Sequence, residues 1–260
     1  MIDIKQISGY FPGPVRDNSS FHKHILKEYL QLMILDYISS SPYAGKLCFI
    51  GGTNLRLVHG IDRFSEDLDF DCKDMTEEEF KAMTDDILSF LRMNDFNVEP
   101  RDKENPKLTA FRRNFYFPGL LFEMNLTGHR DERFLIKIEA QDQGVDYTPQ
   151  MKDVKGFGFF FPMRVPPIGI LCSMKISALT ARAKGRDFYD TMFLLALAEP
   201  DYDFLKARCG IGSLEELKSH INELLQTVDL RVKARDFEHL LFNSGNAGKI
   251  LRFGEFVDSL

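Results

Sequence analysis

The sequence has 260 residues, 44% hydrophobic and 28% charged, which suffices for a sizeable core and is too apolar for a disordered chain. No run of about 18 apolar residues occurs, which argues against a spanning helix. Four scattered cysteines (Cys48, Cys72, Cys172, Cys209) with no C-x-x-C pair argue against a zinc knuckle or disulfide framework and fit a reducing cytoplasm. The formal net charge of −6 counts, taken alone, against a nucleic-acid partner.

The first eighteen residues carry Gly and Pro and read as an irregular arm, without the basic start and apolar stretch of a secretory leader. Ile25, Leu26, Tyr29, Leu30, Met33, Ile34 and Tyr37 recur at helical spacing, with Ser19 or Ser20 as N-cap. Lys46 to Ile50 reads as a buried strand ending in the turn Gly51-Gly52, and TNLRLVHG suits a short helix. Asp67 to Cys72 alternates acid with Leu68, Phe70 and Cys72, the period-two pattern of a two-faced strand. MTEEEFKAMTDDILSFLRMN is an amphipathic helix capped by Thr76. Strands are expected at Asn97–Pro100, Leu108–Phe117, Leu120–Leu126 and Phe134–Gln141, and GFGFFFP reads as a further core or edge strand. From Gly169 onward the pattern is helical. The order predicts an α+β chain with a boundary near Val165-Pro166-Pro167: an N-terminal domain over 1–165 and a helical C-terminal domain over 166–260.

Two stretches carry chemistry. On the strand, Asp67 and Asp69 are two apart and share a face that Asp71 continues. Three acids on one face repel one another unless a cation or hydrogen bonds sit among them, and Mg²⁺ is commonly held by a few carboxylates together with substrate phosphates. Upstream, Gly51-Gly52-Thr53 leaves a strand and enters a helix, where backbone N–H groups favour a phosphate and Thr53 adds a hydroxyl. A phosphate-holding turn beside a metal-holding strand is what phosphoryl or nucleotidyl transfer requires. The second stretch runs from Lys175 to Arg186, with four basic residues (Lys175, Arg182, Lys184, Arg186) and no acid; Asp187 and Asp190 follow one turn apart. Lys175 and Arg182 share a helix face, and Gly185 is the expected helix end. An ordinary solvated helix face is the alternative. The six histidines show no metal spacing.

GGT, thirteen residues, then D-x-D, led by Arg63-Phe64-Ser65-Glu66, resembles the nucleotidyltransferase superfamily with the DNA polymerase β-like fold, and more closely the AbiEii/AbiGii toxin family of bacterial type IV toxin–antitoxin and abortive-infection systems. K-x-x-A-x-x-x-R-x-x-x-R-D-x-Y-D from Lys175 resembles that family's C-terminal signature. The resemblance implies a mixed sheet flanked by helices, then a helical domain, with the active site in the cleft between them. It implies phosphate contacts from Gly51, Gly52 and Thr53, and Mg²⁺ (or Mn²⁺) on Asp67 and Asp69. Arg63 and Ser65 match the lead-in and, with Arg186, are taken as further nucleotide contacts. Lys175 would meet the nucleotide phosphates, and Asp190, with Asp187 next in line, would orient Lys175 or act as general base. The fold commonly takes a third carboxylate from a later strand; Glu139, sharing a face with Lys137, is the candidate as ligand or base, with a solvated Lys/Glu face on an edge strand as the alternative.

The implied reaction is NMP transfer from an NTP to an acceptor hydroxyl, with a tRNA 3′ end as acceptor, a separately encoded antitoxin as antagonist, and no membrane partner. A small-molecule, antibiotic-type nucleotidyltransferase and a non-catalytic nucleotide-binding module of the same fold are the rivals. The net charge does not decide among them, because it averages an acidic strand against a compact basic block.

Overall fold

The computed structural model describes residues 2–102 and 109–260. Within these the chain forms two compact units. The first takes the described residues of Met1–His59, Phe64–Gln143 and Met151–Val165; the second takes Gly60–Arg63, Gly144–Gln150 and Pro166–Leu260. Two short segments from earlier in the chain thus belong with the helical part.

Unit one opens with two short helices, α1 (Ile4–Ser8) and α2 (Gly13–Arg16), where an irregular arm was expected. Helices of four or five residues complete barely one turn, so they leave no hydrophobic repeat to read. A 3₁₀ turn at Ser19–Phe21, capped by the Asn18 side chain rather than by a serine, leads into α3 (His22–Ser39). Buried Ile25, Leu26, Leu30, Met33 and Ile34 of α3 lie at the expected spacing. Then come β1 (Leu47–Ile50), α4 (Gly51–Leu57), β2 (Asp67–Cys72) and α5 (Glu77–Met93). Thr76 and Glu79 close a capping box at the start of α5, and three glutamates occupy its positive end.

β3 (Glu99–Pro100), β4 (Phe111–Tyr116) and β5 (Leu135–Gln141) complete a five-stranded mixed sheet in the order β1-β2-β5-β4-β3. Among the described residues of this sheet β2 and β5 pair in parallel, and the other neighbouring strands pair antiparallel. Leu108, the expected start of the fourth strand, lies outside the described residues. The segment read as a strand at Leu120–Leu126 is instead a one-turn helix, α6 (Leu120–Glu123), entered through Gly119 at φ +74°. Its apolar run serves the core through Leu121 alone, so a hydrophobic stretch gave the wrong period. β6 (Gln150–Gly156) and β7 (Phe159–Val165) form a separate two-stranded sheet, with β7 against α3 and β1. In GFGFFFP, Phe161 is buried while Phe160 is 69% exposed.

Unit two is built from α7 (Ile168–Arg182), α8 (Gly185–Leu195), α9 (Tyr202–Cys209), α10 (Leu214–Leu225), α11 (Leu230–Arg235) and α12 (Phe253–Asp258). Gly185 opens α8 rather than ending α7. Its Cα faces the Lys233 carbonyl so closely that any Cβ would overlap that oxygen. Here the glycine serves helix-to-helix approach, while Ala183 takes the left-handed cap of α7 at φ +46°. Phe188 meets Phe253 edge-on at 5.1 Å in the core.

Candidate active site

In unit one the polar chemistry lies on one face of the sheet. Leu68, Phe70, Ile136, Ile138 and Ala140 are buried on the other face, as two-residue alternation requires. Register places Ile50 opposite Asp69, Asp69 beside Glu139, and Glu139 beside Arg112, a single row across β1, β2, β5 and β4. The next row sets Asp67 beside Lys137 and Lys137 beside Asn114. Lys137 Nζ lies 3.1 Å from Asp67 Oδ2 and 2.8 Å from Glu139 Oε2, and Arg112 also pairs with Glu139. Burial alone would raise the Glu139 pKa, but Lys137 and Arg112 outweigh it and hold the carboxyl below its usual range. Burial would likewise lower Lys137, and Asp67 with Glu139 overcomes that and raises it.

The cation that three acids on one face call for is therefore supplied in part by the chain itself. Lys137 was visible in the sequence as a neighbour of Glu139, but its bond to Asp67 depends on strand pairing. β5 lies between β2 and β4, so Lys137 and Glu139 are not on an edge strand. Asp71 is 2% exposed and accepts from the Gln143 backbone N–H at 3.0 Å, so it is set apart from the half-buried pair.

The turn before α4 is shaped around Asp69. Gly51 sits at φ +80°, and a Cβ there would overlap the Asp69 carboxylate. Glycine is required on both counts. Gly52 follows in the first turn of α4, whose N-cap Ile50 offers no side-chain acceptor. Thr53 is buried, and its hydroxyl donates to the Asp67 carbonyl. A hydroxyl has one proton, so that group ties α4 to β2 and leaves the backbone N–H for other work. Ser65 is buried, with its carbonyl accepting from Gln31 at 3.2 Å. Arg56 pairs with the buried Glu28 at 3.0 Å, a structural contact.

Two adjacent carboxylates on one strand are hard oxygen donors that suit Mg²⁺ or Mn²⁺ with water and phosphate oxygens filling the other positions. Among the described residues no three His, Cys, Asp or Glu side chains are gathered to hold a cation by themselves. Glu139 is already bonded by two cations of the chain, Lys137 and Arg112.

In unit two the acids of the C-terminal signature are buried in two ion-paired clusters. Arg63 Nε and Nη2 reach the two oxygens of Asp190, each at 2.7 Å, and Lys175 Nζ lies 2.9 Å from Asp190 Oδ2. Arg63 and Asp190 are 0% exposed and Lys175 is 8% exposed. Burial would raise Asp190, but Arg63 and then Lys175 outweigh it and bring its pKa down to about 2. Asp187 is also buried; it takes both donors of Arg182 at 2.8 and 2.9 Å and accepts from the Lys184 N–H, closing the corner from α7 to α8. Arg186 stands in the first turn of α8, partly exposed. The structure thus joins Lys175 to Asp190 and separates Asp187 from both. The sequence reading missed Arg63 as the partner of Asp190, because 127 positions divide them.

Comparison with known proteins agrees with this architecture. The family model for the nucleotidyl transferase AbiEii toxin of type IV toxin–antitoxin systems matches residues 33–241. No curated protein sequence matches the chain. Among solved structures, MenT4, a nucleotidyltransferase toxin from Mycobacterium tuberculosis H37Rv, superposes with a TM-score of 0.60 at 14% identity, over 100% of this chain and 91% of that one. JHP933 from Helicobacter pylori gives a TM-score of 0.55 at 19% identity, over 91% and 90%. At these identities the structures establish the shared fold. With four-fifths of its length inside the family model, the chain belongs to the AbiEii family of type IV toxin–antitoxin nucleotidyltransferases and is a nucleotidyltransferase.

Proposed function

We propose that the chain transfers NMP from an NTP to a hydroxyl of an RNA acceptor, in the manner of a toxin whose target is the tRNA 3′ end. The observation that carries this reading is the half-buried Asp67/Asp69 pair on the polar face of β2, with Asp69 seated against the Gly51 turn. In the reaction the acceptor hydroxyl gives its proton to water, its oxygen bonds to the α-phosphorus, the bond from the α-phosphorus to the α–β bridging oxygen breaks, and pyrophosphate leaves. Mg²⁺, held by Asp67 and Asp69 when bound, supplies charge neutralisation on the phosphates. Backbone N–H groups at Gly51, Gly52 and Thr53 receive phosphate oxygens at the positive end of α4. Lys175 offers its ammonium to the negative charge that builds on the leaving group, and Arg186 adds a further cation.

Asp190 serves as the anion that holds Lys175. Both its oxygens already accept from cations and none of its surface is exposed, which speaks against a general base that must reach an incoming hydroxyl. Action in the cytoplasm beside a separately encoded antitoxin accords with the type IV toxin–antitoxin family of the chain. Among the described residues no helix is long and apolar enough to cross a membrane.

The test is incubation of the chain with each NTP, Mg²⁺ and total tRNA, comparing wild type with Asp69→Ala and Lys175→Ala. Label on tRNA that disappears in both variants, and acceptor binding that weakens steeply with salt, are the expected results. Salt-insensitive labelling of a small hydroxylated acceptor, with none on RNA, would instead establish an antibiotic-type enzyme.

A further inference from the structure

Arg63 matches the lead-in to the aspartate pair and was expected to touch nucleotide. Its placement gives it a different partner, Asp190. The guanidinium is wholly buried, and its Nε and Nη2 lie in a fork on the two oxygens of Asp190. The short segment that carries it, Gly60–Arg63, is fastened within unit two at several further points. Tyr189 donates to Asp62 Oδ1 at 2.6 Å and Asn246 to Asp62 Oδ2 at 2.7 Å. The Phe242 N–H donates to the Asp62 carbonyl at 3.0 Å, and Arg63 bridges Leu241 as an antiparallel pair.

A fork-to-carboxylate pair fixes the plane of the carboxylate as well as its position, which a single ammonium cannot do. Fixing that plane fixes Oδ2, which Arg63 Nη2 and Lys175 Nζ share at 2.7 and 2.9 Å. Lys175 hangs on a flexible four-carbon stem, so the place of its ammonium is set by what holds its end. Of the three groups, Lys175 has the most exposed surface.

Resting on the nucleotidyl-transfer reading above, we infer that Arg63 is a positioning residue: it locks the Asp190 carboxylate, which locks the Lys175 ammonium against the nucleotide, and Arg63 itself makes no nucleotide contact. The two cations keep Asp190 ionised throughout the working pH range, so the lock does not loosen near neutrality.

A double-mutant cycle on the full chain tests this, read as kcat and KM for the NTP together with the melting temperature. Arg63→Lys keeps the buried charge and removes the fork. It is expected to lower kcat about tenfold, with KM and melting temperature little changed. Lys175→Ala is expected to lower kcat about 100-fold. Because Arg63 acts through Lys175, the double variant should match Lys175→Ala alone within about twofold. Losses that multiply, to about 1,000-fold, would overturn the inference by showing that Arg63 meets the nucleotide independently. So would a loss in Arg63→Lys that tracks the unfolded fraction. Should the lysine variant not fold, Arg63→Gln takes its place, and unfolding of both assigns Arg63 to the fold alone. A wild-type chain that neither transfers label nor binds any NTP overturns the proposed function and this inference with it, an outcome distinct from multiplying losses.

Discussion

Two of the carboxylate–cation clusters in this chain, one in each unit, differ in burial more than in composition. The first, on the sheet of unit one, sets Asp67, Asp69 and Glu139 beside Lys137 and Arg112, all partly accessible. The second, in unit two, sets Asp190 between Arg63 and Lys175 with almost no surface. Accessible charges exchange partners readily, because water and incoming ions compete for them; buried ones keep theirs, because separation leaves a charge without solvation. The first cluster is therefore suited to taking a metal and phosphates, and the second to holding one ammonium in place.

The comparison is broken most directly at Asp69. Asp69→Asn should lower label transfer by about 1,000-fold, equivalent to about 4 kcal/mol of transition-state stabilisation, while the melting temperature stays near wild type. A large fall in melting temperature would make the strand cluster structural. Asp190→Asn should do the reverse in emphasis. It strands two buried cations and is expected to destabilise the fold by about 3–5 kcal/mol, measured by urea unfolding.

Acid sharpens the same point. The Asp190 pKa falls from an unfolded value of 3.8 to about 2, so its stabilisation is present above about pH 4 and is lost as pH falls through about 2. The shift corresponds to about 2 kcal/mol. Unfolding free energies of wild type should decline across that window, and an Asp190→Asn chain stable enough to measure should lack this component. Gly51→Ala, which forces a side chain into a left-handed position and against Asp69, should cost about 1–2 kcal/mol in stability and reduce transfer as well. The smallest effect is expected from Lys137→Met, under about 1 kcal/mol by urea unfolding, since its partners remain accessible to water. A cost for Lys137→Met as large as for Asp190→Asn would erase the distinction between the clusters.

How much of this was legible in the sequence follows from the range of each interaction. The alternation DLDFDC marks β2 and its two faces, since side-chain period is a local property. Thr76 and three following glutamates mark the start of α5 for the same reason. The one-turn helices α1, α2 and α6 are too short to show a period, and Leu120–Leu126 was misread as a strand on apolar content alone. Gly185 looked like a helix stop because glycine often is one, whereas its reason lies at Lys233, 48 residues away. The aspartates, the glycine turn and Lys175 were all nameable as candidates. The bonds that give them separate duties, Lys137 to Asp67 and Arg63 to Asp190, join residues 70 and 127 positions apart and become visible only in the fold.

The central claim is that the Asp67/Asp69 pair supports nucleotidyl transfer. It is tested most directly by offering the chain, with Mg²⁺ and total tRNA, the same NTP labelled either at the α- or at the γ-phosphate. Nucleotidyl transfer by the wild type puts the α-label on RNA and leaves the γ-label in pyrophosphate, and folded Asp69→Asn moves neither. Transfer of the γ-label, or α-labelling undiminished in Asp69→Asn, would contradict it.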